Sequence, residues 1–186
     1  MINPCTRRRF ATLALSCALA LSMPATHTLA QSAQGWRTAT PEELKSIIPA
    51  RAPVVSERIE TEFRTASGIT DGEGHYIAGV VMITAGYSAE GKYSHFFLTQ
   101  APLRMGSLAL PAGEYVFGWS RSQDALKVSF YQASSGKPLG QVDAQRNPAI
   151  TRVESFRVWP PKAAAGEPHA LIQIGRFSFP YTLGDK

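Results

Sequence analysis

Cysteine is almost absent from this chain, and both cysteines lie near its start. Cys5 and Cys17 are the only two among 186 residues. Because both precede residue 31, the rest of the chain forms no disulfide and contains no thiol nucleophile or cysteine metal ligand. A domain formed by that part has to be held together by its hydrophobic core.

The chain also lacks a large excess of charge beyond its first residues. Its formal net charge is +5, but Arg7, Arg8 and Arg9 supply three of the 19 basic side chains and precede all 14 acidic ones. A nucleic-acid-binding surface needs clustered basic residues. We therefore expect no nucleic-acid partner.

The first 30 residues have the pattern of a secretory signal peptide. An apolar run from Phe10 to Leu21 follows the three arginines, and Thr28–Ala30 offers a cleavage site before Gln31. The run is shorter than the about 20 residues that a membrane-spanning helix needs. Thr6–Phe10 resembles the twin-arginine export signal, and a general secretory signal stays open. We predict cleavage after residues 1–30, a periplasmic or secreted bacterial protein, and no integral membrane segment after cleavage.

One short helix is predicted near the start of the remaining chain. Thr40 is placed as N-cap, Pro41 as the first helical residue, and Glu43 completes a capping box. Prolines further along limit this helix to about two turns. We assign residues 31–56 to a leader with this helix and residues 57–186 to a single β-sandwich domain.

Alternating apolar and polar residues begin at Glu57 and recur between turn sequences as far as Phe179. This spacing predicts about eight or nine strands. Val80–Ile83 is apolar without alternation, which predicts a strand covered on both faces. The expected fold class is all-β, a single antiparallel β-sandwich with jelly-roll or Greek-key connections. A lipocalin-like up-and-down barrel is the alternative, because short turns join many neighbouring strands.

A proline-glycine corner joins two of the apolar segments. We expect Leu103–Leu110 to pair with Glu114–Ser120 in a hairpin around Pro111–Gly113. Gly106–Val116 is similar to the second motif of the cupin family, with Val116 at the position of that family's metal-binding histidine. The first cupin motif is missing. The resemblance therefore implies a corner in a β protein and no metal centre.

Tyr115, Phe117 and Trp119 share one face of the strand after this corner, because strand side chains alternate. If exposed, these rings and Trp159 would form a ligand-binding surface, such as a platform for sugars. If buried, they belong to the core. The core is favoured, since a disulfide-free domain depends on large buried rings. These four residues are the candidate ligand-binding residues.

The sequence predicts no catalytic residue, cofactor or metal site. His75, His95 and His169 are far apart and lack the spacing of metal ligands. Ser88 lies in a glycine-flanked segment between two predicted strands, whereas a nucleophile elbow requires a strand-to-helix turn. The pattern favours a protein that is not an enzyme.

The sequence thus favours an exported, non-enzymatic module that binds a protein, a glycan or a small ligand of the cell envelope. Two alternatives stay open: a carbohydrate-active hydrolase or sugar-binding module, and a barrel-type carrier of a small apolar ligand. Histidines gathered around a buried acid would favour the hydrolase. An apolar cavity in a closed barrel would favour the carrier.

Overall fold

The computed structural model describes residues 35–162 and 168–184, so the predicted signal peptide lies outside the described residues. The described part contains one helix and fourteen strands. In chain order these are β1 (Arg37–Thr38), α1 (Pro41–Ile47), β2 (Arg51–Val54), β3 (Glu57–Thr70), β4 (Tyr76–Met82), β5 (His95–Thr99), β6 (Leu103–Met105), β7 (Leu108–Leu110), β8 (Gly113–Ser122), β9 (Ala125–Gln132), β10 (Pro138–Arg146), β11 (Glu154–Trp159), β12 (Leu171–Gly175), β13 (Phe177–Pro180) and β14 (Thr182–Leu183). None of its helices is long and apolar enough to cross a membrane.

Ten strands form one antiparallel sheet in the order β1-β3-β4-β5-β8-β9-β10-β13-β12-β11, and β2 pairs with β3. The sheet curls until β11 packs against β3 and β4. There the Val158 N–H donates to Ser67 Oγ over 3.0 Å, and the Phe156 ring covers Gly79 so closely that a Cβ would lie 2.8 Å from it. The all-β, antiparallel prediction is confirmed, and the sheet is nearly closed and barrel-like.

Large aromatic rings fill the interior of this sheet. The ring centroid of Phe117 lies 6.4 Å from that of Phe97, 5.0 Å from Phe130 and 6.0 Å from Phe156. All four rings are buried, and burying one phenylalanine side chain contributes roughly 1.5–3 kcal/mol. The interior therefore supplies the cohesion that disulfides provide in many exported domains.

A second, three-stranded sheet closes one end of the barrel-like sheet. Its strands lie in the order β14-β6-β7. Leu103, Met105, Leu108 and Leu110 project from it into the interior core. The strands of the large sheet have their other ends at the opposite side of the molecule. That side is called the mouth below.

The hairpin predicted around Pro111 is wrong. β7 pairs with β6, whereas β8 pairs with β5 and β9. Gly106, with a φ of 58°, allows a turn that splits Leu103–Leu110 into two strands. The proline corner then carries the chain from the small sheet to the large one. The Tyr115 hydroxyl donates to the Pro111 carbonyl over 2.6 Å and fixes this corner.

The strands are more numerous than the eight or nine predicted, because several are short. Leu171–Phe179 reads as one strand in the sequence but forms β12 and β13. Gly175, with a φ of 62°, and Arg176 make a two-residue turn between them, and Ile174 pairs with Phe177. A glycine in the left-handed region is the usual requirement of such a turn.

The helix forms as predicted and covers the outer face of the sheet. Thr40 Oγ1 accepts from the Glu43 N–H over 3.2 Å, and the Glu43 carboxylate accepts from the Thr40 N–H over 2.8 Å. Leu44 of α1 packs in a second core cluster with Val80 of β4 and Phe96 of β5. β4 and β5 are therefore covered on both faces, as the unbroken apolar run predicts for β4.

Gly118 allows the segment before β5 to cross the outer face of β8. A Cβ on Gly118 would lie 2.1 Å from the Lys92 carbonyl oxygen, which is main chain and moves only with its segment. We expect Gly118→Ala to lower the free energy of unfolding, measured with urea, by about 1–3 kcal/mol. Gly35→Ala is the control, since its nearest contact would be an ordinary 3.6 Å. Equal losses in the two variants would contradict the close approach.

Candidate functional site

A pocket lies at the mouth, where β4, β8 and β10 end and β5, β9 and β11 begin. Twelve residues line it, and its cavity volume is about 490 Å³. Small-molecule sites usually enclose about 300–1,000 Å³. We call this cavity the mouth pocket.

The wall of the mouth pocket is mostly apolar. Its large apolar side chains are Val81, Trp119, Leu126, Ile174 and Phe177. Trp119 lies two residues after Phe117 on the inward face of β8, but it has left the packed interior and is 47% exposed. The pocket therefore places an indole ring at its rim, in contact with water.

Three arginines line the same pocket without an acidic partner. Arg121 follows Trp119 on the inward face of β8, Arg146 ends β10, and Arg176 lies in the turn between β12 and β13. No salt bridge between the described residues involves any of them, and no Asp or Glu is among the residues that line the pocket. The Arg121 guanidinium carbon lies 5.8 Å from the centre of the Phe177 ring. Apolar wall and positive charge thus meet in one cavity.

His95 forms the most buried polar part of this wall. It is 4% exposed, and its ring stacks on Phe117 with 4.5 Å between centroids. Its Nδ1 lies 2.8 Å from Ser94 Oγ, and its Nε2 has no hydrogen-bond partner within the described ranges. Burial lowers the pKa of His95 to about 4, and the Ser155 main chain opposes this only in part. The ring is therefore neutral at pH 7.

The four aromatic residues predicted as candidates lie in different environments. Tyr115 and Phe117 are buried in the interior at 1% and 0% exposure, whereas Trp119 lines the mouth pocket. Trp159 lies at the far end of β11 from the mouth, and its Nε1–H donates to Gln173 Oε1 over 2.9 Å. The structure therefore brings only Trp119 of these four to the pocket.

The three histidines considered in the sequence are held in separate surroundings. His75 Nδ1 lies 2.6 Å from Asp71 Oδ2, His95 lines the mouth pocket, and His169 is exposed. In residues 35–162 and 168–184, no group of three or more His, Cys, Asp or Glu side chains is placed to hold a metal ion.

Sequence reasoning missed the three pocket arginines and the position of His95 in the pocket wall. One signal for Arg121 was present, because it continues the alternation of Tyr115, Phe117 and Trp119 along one strand face. Arg146 and Arg176 carried no comparable signal, since they come from strand ends that only the folded sheet brings together.

No protein-family model, curated protein or solved structure matches this chain. Its function therefore has to be inferred from the residues of the mouth pocket.

Proposed function

We propose that this protein is an exported, non-enzymatic binding protein whose curled sheet acts as a β-barrel with a small-ligand site in the mouth pocket. The observation that carries the proposal is the cavity of about 490 Å³ with a mostly apolar wall. Small-molecule sites are concave, largely apolar and provided with a few polar groups at fixed positions. The predicted signal peptide supports a location in the periplasm or outside the cell.

The packing below the pocket supports a site at the mouth rather than a hollow interior. His95 stacks on Phe117, and Phe117 packs on Phe130 and Phe156. Side chains therefore fill the space beneath the pocket, as is usual for barrels of about eight strands. A ligand would rest against Trp119 and Phe177 at the open end.

The arrangement of Ser94 and His95 supports binding rather than catalysis. Their side chains are 2.8 Å apart, which is within reach for a nucleophile and its base. However, burial lowers the pKa of His95 to about 4, so the ring is a weak base at pH 7. No carboxylate of the described chain bonds to Nε2 to orient the ring, whereas the catalytic serine-histidine pair needs that third group.

Binding of the neutral fluorophore N-phenyl-1-naphthylamine tests this proposal. We expect saturable binding of one equivalent, which is measured as a rise in the emission of the fluorophore. Ser155→Phe places a ring into the wall of the mouth pocket from an exposed position. It should weaken binding about tenfold or more, since the ring occupies the volume of the ligand.

Ser120→Phe is the matched control. Ser120 is exposed on β8 beside Trp119 but does not line the pocket, because neighbouring side chains on a strand point to opposite faces. Binding to this variant should equal that of the wild type. Absence of saturable binding, or equal weakening in both variants, would refute a ligand site at the mouth.

A further inference from the structure

We propose that the mouth pocket selects amphipathic anions, that is, molecules that join an apolar body to a carboxylate, phosphate or sulfate group. This inference rests on the proposed function and names the ligand class of the same site. Arg121, Arg146 and Arg176 bind the anionic group, and Trp119 and Phe177 contact the apolar body.

Most of the described arginines outside the pocket are paired, Arg58 and Arg104 being the exceptions, whereas none of the three in the pocket is. Five described arginines form salt bridges with glutamates: Arg37, Arg51, Arg64, Arg152 and Arg157. The three arginines of the pocket have no such partner within the described residues. A planar guanidinium matches the two oxygens of a carboxylate or phosphate. An anionic ligand would therefore supply the carboxylate or phosphate that these three arginines lack within the described residues.

The geometry of the pocket strengthens this positive charge. Three arginines line one concave site, and no carboxylate lines it. A cleft lined by charges of one sign and apolar walls concentrates the electrostatic field and attracts oppositely charged ligands. The Arg121 guanidinium also lies 5.8 Å from the Phe177 ring centre, so the charged and apolar parts of the site adjoin.

His95 adds no negative charge to the pocket. The Ser94 hydroxyl has His95 Nδ1 at 2.8 Å and the Phe117 carbonyl only at 3.5 Å, so its proton is best donated to Nδ1. The neutral ring then carries its own proton on Nε2, which is buried out of contact with solvent. The three guanidiniums are donors only, which suits a group that only accepts, such as a carboxylate.

Two fluorophores with the same aromatic body test the charge requirement. 8-Anilinonaphthalene-1-sulfonate differs from N-phenyl-1-naphthylamine by one sulfonate. We expect the sulfonate to bind about tenfold or more tightly than the neutral compound. In the double variant Arg121→Gln and Arg146→Gln, most of the advantage of the sulfonate should be lost, because only Arg176 is left to bind it, and the neutral compound should bind as it does to the wild type.

The double variant Arg58→Gln and Arg104→Gln is the control. Both arginines are exposed, neither lines the pocket, and neither forms a salt bridge with a described residue. The net charge changes by the same amount, so the advantage of the sulfonate should persist. Equal affinities of the two fluorophores for the wild type, or an unchanged advantage in the pocket double variant, would overturn the inference.

Competition at constant ionic strength distinguishes an amphipathic anion from a free one. Dodecanoate should displace the bound sulfonate, and inorganic phosphate at the same concentration should not. Displacement by phosphate alone would overturn the role of the apolar body. If N-phenyl-1-naphthylamine binds and responds to Ser155→Phe while the sulfonate binds no better, only this inference fails. If neither fluorophore binds, the proposed function fails.

Discussion

Phe117→Ala is expected to lower the free energy of unfolding by about 3–5 kcal/mol. The ring is 0% exposed and lies among Phe97, Phe130, Phe156 and His95, with centroids 4.5–6.4 Å away. These neighbours belong to β5, β9 and β11, whose positions are fixed by the sheet. The cavity left by the ring therefore cannot close. Equilibrium unfolding in urea at pH 7 measures the loss.

Trp119→Ala provides the comparison on the same face of the same strand. The indole is 47% exposed, so its removal should cost about 1 kcal/mol or less. The same change should weaken binding of N-phenyl-1-naphthylamine, because the ring forms part of the pocket wall. Similar losses of stability in Phe117→Ala and Trp119→Ala would contradict the assignment of Phe117 to the core and Trp119 to the pocket wall.

A loss of stability in acid is the second large effect that we expect, and His95 is its cause. Its pKa is about 4 in the folded protein against an ordinary value of 6.5. Between these pH values the unfolded chain binds a proton that the folded chain does not, so the free energy of unfolding falls as the pH falls. At 1.36 kcal/mol for each pKa unit, the loss approaches about 3 kcal/mol near pH 4.

His95→Phe tests this origin of the acid sensitivity. Phenylalanine keeps an aromatic ring against Phe117 but removes the titrating group. The free energy of unfolding should then depend less steeply on pH between 6.5 and 4 than in the wild type. At pH 7 the variant should be as stable as the wild type or more stable, because a buried nitrogen without a partner is gone. His169→Gln, at an exposed position, should leave the slope unchanged, and an unchanged slope in His95→Phe would refute the assignment.

Local signals in the sequence predict the local parts of this fold. The capping box of Thr40 and Glu43 forms as expected, because a helix start depends on residues three positions apart. The alternation along Glu57–Thr65 and the apolar run around Val80 lie in strands, as predicted, because these patterns are also local in the sequence. Both patterns report the immediate surroundings of a strand, not its partners.

Strand pairing was less accessible from the sequence. Pro111–Gly113 has the composition of a hairpin corner, but the choice of partner for β8 is settled by burial of its rings against β5 and β9. Gly106 and Gly175 lie at the two turns that the sequence pattern does not predict, and each has a positive φ. A lone glycine in a strand pattern is compatible with a bulge or a turn, and the sequence does not distinguish between them.

The candidate site was still harder to foresee, because its parts come from many strand ends. No local motif in the sequence marks Arg121, Arg146 or Arg176 as part of a common site. Their common position arises only when the sheet curls and brings β8, β10 and the turn before β13 to one mouth. The spacing of residues in the sequence does not show which strand ends lie close together in the folded protein.

The near closure of the sheet also bears on how copies of this protein behave at high concentration. An open sheet ends in strands with rows of unpaired N–H and C=O groups, which recruit strands from other chains and lead to aggregates. Here β3, a strand of 14 residues, pairs along one edge with β4, and its other edge is shared among β1, β2 and the neighbouring β11. Both ends of this edge of β3 are therefore paired within the protein's own chain and β11 lies beside its middle, so the curvature that forms the pocket also limits intermolecular strand addition.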